Sequence, residues 1–370
     1  MRNFCVVVGA GLAGATAARI LAEAGERVLV VEKLQHVAGH AYDEFNDDGM
    51  LIHIYGPHIF HTNNSNVFKF LSRFTEWHFY QHKVLSYVDG MLVPFPINRD
   101  TISQLFGLKI STNEVEKFLR REVENSEFKK PPENFEDVII SQIGRRLYEK
   151  FFMNYTRKQW NREPKELSAE VAKRIPIRSN RDGRYFSDRY QGLPKFGYTK
   201  MIEKMLDHSQ ISVLTNCDYF EIAEELKAKL VVYTGPLDEY FKNVYGKLEY
   251  RSLKFVFETY EREYYQPVGV VNYPNDYDWT RITEFKHLTG QKSDKTTICY
   301  EYPLEQGEPY YVVMSEKNMY KREQYMKEIL KLEKTKKFLF IGRLAEYKYY
   351  NMDQVVARAL EKISGWLKGV

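Results

Sequence analysis

The stretch Gly9-Ala10-Gly11-Leu12-Ala13-Gly14, set directly behind an apolar run and ahead of an alanine-rich one, constrains this chain more than any other feature. Residues 3–8 read as a buried strand, Leu12–Ala24 as a helix and Arg27–Val31 as a second strand, so the chain opens as a βαβ unit. The first glycine permits the turn, the second lets a pyrophosphate approach the backbone, and the third lets the helix pack closely. The helix N–H groups then face the phosphate. Glu32 ends the second strand, where a carboxylate can accept hydrogen bonds from a ribose diol. Gly9, Gly11, Ala13, Gly14 and Glu32 are therefore candidate cofactor-binding residues. The apolar run Phe4–Leu21 also imitates the core of a secretion signal, but its three glycines and Arg19 assign it to the fold.

At 370 residues the chain exceeds one average domain. With 44% hydrophobic and 28% charged residues, and no uninterrupted apolar run of about 18, it is expected to be neither disordered nor an integral membrane protein. Basic residues exceed acidic ones by only 54 to 50, too evenly for a nucleic-acid binder, so an anionic ligand must be held by a local arginine cluster. Cys5, Cys217 and Cys299 lie far apart with no CxxC spacing. Neither a disulfide framework nor a zinc site is suggested, and a cytoplasmic setting is the simplest reading.

Further along, Thr101 to Arg178 is helical in pattern, clearest in Val115–Val123 and Val138–Asn154. Leu253–Tyr260, Val268–Tyr273, Arg281–Lys286 and Thr297–Tyr302 are short and β-rich, predicting an antiparallel sheet, with Val84–Val93 as a hairpin turning at Asp89-Gly90. After Tyr320 come a helix, the strand Phe338–Ile341 and the helix Met352–Leu367, so the end of the chain returns to the mode in which it began. The expected fold class is α/β, in three parts. They are a discontinuous Rossmann-like FAD-binding domain (1–75, 195–238 and 315–370), an inserted helical domain (100–185) with a mobile substrate loop, and an antiparallel sheet domain (76–99 and 239–314). The long irregular stretch Lys33–Thr62 and the returning terminal strand favour FAD over a nicotinamide cofactor, and the absence of a second GxGxxG argues against a separate nicotinamide domain.

Tyr55-Gly56-Pro57-His58-Ile59-Phe60-His61-Thr62 gathers two histidines and two aromatics in a turn-forming stretch. A metal would need more ligands at matching spacing, so none is expected, and the histidines either pack or line a flavin or substrate. Tyr155, Trp160, Arg174, Arg178, Arg281, Tyr310-Tyr311, Arg343, Tyr347, Tyr349 and Tyr350 are the remaining candidates. Aromatic faces suit stacking on a base or sugar, and guanidinium suits bidentate contact with phosphate. Adjacent tyrosines on a strand point to opposite faces, so at most one of each pair reaches a common cleft.

The motifs GAGLAG, YGPHIFHT, NYTRKQW, KRIPIR, YFSDRYQG, TGPLDEYF, EYRSLKF, EPYY and GRLAEYKYYNMDQ run almost end to end, and together they resemble the bacterial UDP-galactopyranose mutase family. The resemblance implies an isomerase that interconverts UDP-galactopyranose and UDP-galactofuranose without net redox, through a covalent adduct with N5 of noncovalently bound, reduced FAD. It implies a role in galactofuranose-containing surface glycans, an external reductant such as NADPH, a homodimer, and no nucleic-acid partner. It assigns the diphosphate to Arg174, on a loop that closes, and to Arg281, with hydroxyl donors from Tyr185, Tyr311 and Tyr349. Tyr155 is to face the uracil, Trp160 the sugar or uridine, and His82 the sugar. His61 and Arg343 are to lie beside the isoalloxazine, with Met352 in the cofactor shell; Arg174, Arg281, His61 and Arg343 form the catalytic set. Asn351 stands where the family commonly has Asp, and an amide can hydrogen-bond but carries no charge. His61, rather than an Arg, points to the unacetylated sugar. Two other readings remain: an oxidoreductase resembling the flavin amine oxidases, which the arginine pair disfavours, and a nucleotide-sugar binding protein that retains FAD for structure.

Overall fold

The computed structural model describes residues 4–172 and 176–369. Contacts gather the chain into two compact units. The first takes the residues up to Tyr80, Asp188–Glu249 and those from Met319 onward; the second takes Gln81–Ser187 and Tyr250–Asn318.

The first unit is built on a five-stranded sheet in the order Ile211–Leu214, Arg27–Val31, Phe4–Val8, Leu230–Tyr233, Phe338–Phe340. All of its neighbours run parallel. Parallel strands covered on both faces read as unbroken apolar runs, which is why FCVVV and RVLVV stood out. The helix Leu12–Glu23 is buried along Leu12–Ala18, and its small side chains let it lie close to the sheet. Against it packs the helix Met352–Leu367, which turns Val356, Ala359 and Ile363 inward at helical spacing.

The second unit holds a seven-stranded sheet in the order Tyr311–Val312, Tyr250–Tyr260, Thr296–Leu304, Arg281–Glu284, Val270–Asn272, Val84–Val88, Met91–Phe95. The helical segment lies in the same unit. Two of its helices begin at capping boxes, Asn98 with Thr101 and Ser111 with Glu114.

Four details differ from the sequence reading. The sheet is antiparallel except where Val270–Asn272 meets Val84–Val88 in parallel, because the hairpin attaches by its first strand to a neighbour that no local pattern names. The strand at Arg281 stops at Glu284, whose carboxylate takes the amides of Tyr265 (2.8 Å) and Gln266 (2.9 Å), and Phe285–Thr289 follows as a short helix. The helix expected over Val138–Asn154 is kinked at Gly144 and widens into a π-turn over Glu149–Met153. Finally, NYTRKQW, which follows that helix, is itself helical over Asn154–Trp160. Among the described residues no helix is long and apolar enough to cross a membrane.

Candidate active site

In the first unit the turn between strand and helix is shaped by glycines with different duties. Gly9 has φ +99°, and a Cβ there would sit 2.2 Å from Thr234 Oγ1. A Cβ on Gly14 would lie 1.8 Å from the Gly9 carbonyl oxygen, so helix and turn touch backbone to backbone. Gly11, the N-cap of the helix, is different: its φ of −74° suits any residue, and the nearest atoms to an added Cβ are 3.9 Å away. The fold therefore does not require glycine at Gly11. Its bareness clears space for a group approaching the helix N-terminus from outside, which fits a pyrophosphate. Glu32 is buried, and its two carboxylate oxygens accept from Ala10 N (2.6 Å) and Leu34 N (2.9 Å). It braces the turn, in addition to the ribose role expected of it.

The same cradle takes in the chain's far end. Gly342, at φ +113°, comes within 3.3 Å of the Ala13 Cβ by its own virtual Cβ. Arg343 beside it donates from Nε (3.2 Å) and Nη2 (2.7 Å) to the Tyr350 carbonyl, and its guanidinium lies 5.4 Å from the Tyr349 ring centre. Tyr347 and Tyr350 are buried while Tyr349 is partly exposed, but the segment is a turn and not a strand, so alternation does not account for the division. Asn351 is the N-cap of the last helix, which opens at Met352, and its amide N–H donates to Gln354 Oε1 at 2.9 Å.

His61 lies on the short strand Phe60–Thr62, with its Nδ1 2.9 Å from Asp188 Oδ2. Asn63 Nδ2 donates to the other oxygen of Asp188 at 2.8 Å, and Thr62 Oγ1 donates to Asp353 Oδ2 at 2.8 Å. The His61 strand is thus tied to the helix that begins at Met352. His53 is buried and burial pushes its imidazole down to about 3. Its Nδ1 accepts from the His58 amide at 3.0 Å. Among the described residues no three His, Cys, Asp or Glu side chains gather as a metal site would need.

In the second unit the centre is Arg281. In the sheet register it stands opposite Glu301, and its Nε donates to Glu301 Oε1 at 2.5 Å. Glu301 is 1% exposed. Arg281 Nη2 reaches the Tyr311 hydroxyl at 3.5 Å. Burial works against the arginine's charge, but Glu301, Tyr311 and Tyr155 outweigh it and hold the guanidinium well above its ordinary range. Burial likewise pushes the Tyr155 phenol up, with Arg281 pulling it back and Glu301, Tyr185 and Tyr311 adding to the rise. Tyr155, Tyr185, Arg281, Glu301 and Tyr311 are therefore one electrostatic group. Trp160, on the helix that carries Tyr155, meets Tyr311 with ring centres 6.2 Å apart. His82 packs on Tyr185 at 5.5 Å, and the Tyr185 amide donates to the His82 carbonyl at 2.7 Å. Arg174 lies outside the described residues. The roles of Glu301 and Asp188 were not anticipated from sequence: Glu301 belongs to no motif, Asp188 lies in YFSDRYQG with no partner named, and only the strand pairing and the fold bring each to its partner.

These residues can be set beside known proteins. A family model described as UDP-galactopyranose mutase matches residues 150–349. A Klebsiella pneumoniae protein described as a probable UDP-galactopyranose mutase is 38% identical over 371 residues, covering 99% of this chain and 95% of that one. This chain belongs to the UDP-galactopyranose mutase family. The Mycoplasma genitalium UDP-galactopyranose mutase is 34% identical, covering 96% and 93% of the two chains. An Escherichia coli dTDP-fucopyranose mutase is 32% identical over 99% of each. A crystal structure of reduced UDP-galactopyranose mutase superposes with TM-score 0.80 at 15% identity, over 100% of this chain and 95% of that one. Putrescine oxidase shares the fold more loosely, with TM-score 0.59 at 12% identity over 100% and 99%. A Rossmann-like NAD(P)-binding model matches residues 7–74, which contain the glycine turn. As a member of this family the chain is an isomerase with a dinucleotide-binding domain for a flavin.

Proposed function

We propose that this chain interconverts UDP-galactopyranose and UDP-galactofuranose, with noncovalently bound, reduced FAD. The observation that carries the reading is the Arg281–Glu301 pair ringed by the Tyr155, Tyr185 and Tyr311 phenols, in a chain of this family. When bound, reduced FAD supplies the nucleophile for the anomeric carbon. The glycine turn, Glu32, Ala13 and Met352 would hold that cofactor, with His61 and Arg343 as the residues that would lie beside its isoalloxazine. Departure of UDP places negative charge on the diphosphate. Arg281 is oriented by a buried carboxylate before the substrate arrives, so its charge is available to the transition state without reorganisation. Tyr185, Tyr311 and Tyr349 donate hydroxyl hydrogen bonds, Arg174 closes from its loop, Tyr155 faces the uracil, Trp160 the uridine or sugar, and His82 the sugar. The sugar ring opens and recloses through a different hydroxyl before UDP returns to the same carbon, so there is no net redox change. The division into FAD-binding, helical and sheet domains, the homodimer, the cytoplasmic setting, NADPH as reductant and a role in surface glycans belong to the same reading.

Conversion of UDP-galactofuranose, followed by chromatography with and without dithionite, tests the proposal, with dTDP-fucopyranose as a competing substrate. Conversion is expected only with reduced flavin and without stoichiometric consumption of reductant. Equal turnover by oxidised flavin under anaerobic conditions, or one NADPH oxidised per sugar, overturns it. An amine oxidase reading shares the fold but gives no use to the arginine and phenol cluster.

A further inference from the structure

The segment Tyr273–Thr280 is a loop closed at its neck by the Tyr273 amide, which donates to the Thr280 carbonyl at 2.8 Å. The Lys158 ammonium is bonded to carbonyl groups of this loop. Its Nζ donates to the carbonyls of Tyr277 (2.8 Å), Trp279 (3.1 Å) and Tyr273. An ammonium has three donors, and three carbonyls take them. The next residue beyond the neck is Arg281, and the Thr280 amide donates to the Glu301 carbonyl at 2.9 Å. Any movement of the loop is thus passed directly to the Arg281–Glu301 pair.

Lys158 belongs to the helix Asn154–Trp160, with Tyr155 and Trp160 on either side of it. Asn154, one turn earlier on the same face, donates from Nδ2 to Asn275 Oδ1 at 3.1 Å, and Asn275 Nδ2 donates to the Lys150 carbonyl at 3.0 Å. The far end of the helix is held by Arg251, whose Nε donates to the Gln159 carbonyl at 3.0 Å. Burial pulls the Lys158 amine down to about 8, with Asp278 and Asp276 on the loop opposing that fall.

We infer that Lys158 is a positioning residue, whose ammonium fixes the loop preceding Arg281 against the helix carrying Tyr155 and Trp160, so that base and diphosphate recognition share one register. The inference rests on the reading of Arg281 as the diphosphate ligand. Asn275 is the second tie of the same latch.

The test is calorimetric titration of UDP into the full-length flavin-loaded protein as Lys158→Met, Arg281→Ala and the double variant. Lys158→Met should weaken UDP binding about tenfold or more, the loss of one charge-assisted anchor. In the Arg281→Ala background the same change should weaken it by less than about threefold, because the group that Lys158 positions is gone. Lys158→Arg, which keeps a cation with several donors, should recover part of the affinity. A lysine that only fills space gives equal losses in both backgrounds, and that additivity overturns the inference. So does unaltered affinity in Lys158→Met. If Lys158→Met does not fold, Asn275→Ala replaces it in the same cycle with the same two outcomes. Failure of the wild-type protein to bind UDP at all, by contrast, refutes the mutase reading itself.

Discussion

Replacing Arg281 by alanine disturbs two things of different size, and the structure lets them be separated. The first is the ligand contact. A charge-assisted hydrogen bond to a phosphate contributes roughly 1.5–3 kcal/mol, or about 10- to 150-fold in the dissociation constant of UDP. The second is the carboxylate left behind. Glu301 is 1% exposed, and removing one partner of a buried ion pair costs roughly 3–5 kcal/mol. The Arg281 side chain is itself 26% exposed, so water can partly replace it and the loss belongs at the lower end of that range. Arg281→Ala should therefore bind UDP poorly and unfold earlier in urea. Adding Glu301→Gln to it removes the stranded charge and should restore most of the stability while leaving UDP affinity low. Arg281→Lys keeps the charge without the planar fork and should recover only part of the affinity. Titration calorimetry and denaturant unfolding at pH 7 read the two effects independently. Unchanged affinity in Arg281→Ala places the guanidinium outside the diphosphate site, and unchanged stability refutes the claim that Glu301 depends on it.

Gly14→Ala should fail to give folded protein, since its Cβ meets the Gly9 carbonyl at 1.8 Å, whereas Gly11→Ala should fold yet lack flavin. Flavin absorbance at wild-type level in purified Gly11→Ala contradicts the cradle. Burial holds His53 neutral down to about 3, while the unfolded chain takes up its proton near pH 6.5. The unfolded state thus binds more protons in that window, and stability should fall by up to about 1.4 kcal/mol per pH unit as pH drops from about 6.5 towards 3. His53→Asn should flatten the slope, and an unchanged slope in urea titrations across this range refutes the assignment. Asn351→Asp keeps a good helix cap and should change stability by less than about 0.5 kcal/mol, so any change in turnover measures the added charge directly.

Much of the first unit was legible because its signals are local. A strand, a glycine turn and a small-residue helix are contiguous in sequence, and the terminal strand and helix announce themselves by the same periodicities. Alternation also placed Tyr310 and Tyr311 correctly on opposite faces, one buried and one reaching Arg281. What could not be read was pairing. Nothing local in ICYEYP says that its glutamate will stand across from Arg281, because that depends on the register of two strands twenty residues apart. Lys158 was hidden for a different reason. The helix that carries it is only seven residues long, shorter than the window in which a 3.6-residue period is visible, and its ligands are backbone carbonyls that have no residue signature. Asp188 was quoted within a motif, but its partner His61 lies 127 positions away.

The parallel sheet of the first unit is assembled from both ends of the chain: Leu230–Tyr233 has Phe4–Val8 on one side and Phe338–Phe340 on the other. The glycine turn is thus shaped by neighbours from distant parts of the sequence. Gly9 through Gly14 lie more than 300 residues before Gly342, Arg343 and the helix that covers Leu12–Glu23. A chain cut before Phe338 would leave the edge of Leu230–Tyr233 unpaired and the first helix uncovered. The glycine turn would be present in such a fragment as sequence but without the neighbours that give it shape. The shape of the glycine turn is therefore a property of segments far apart in the sequence and not of its own six residues.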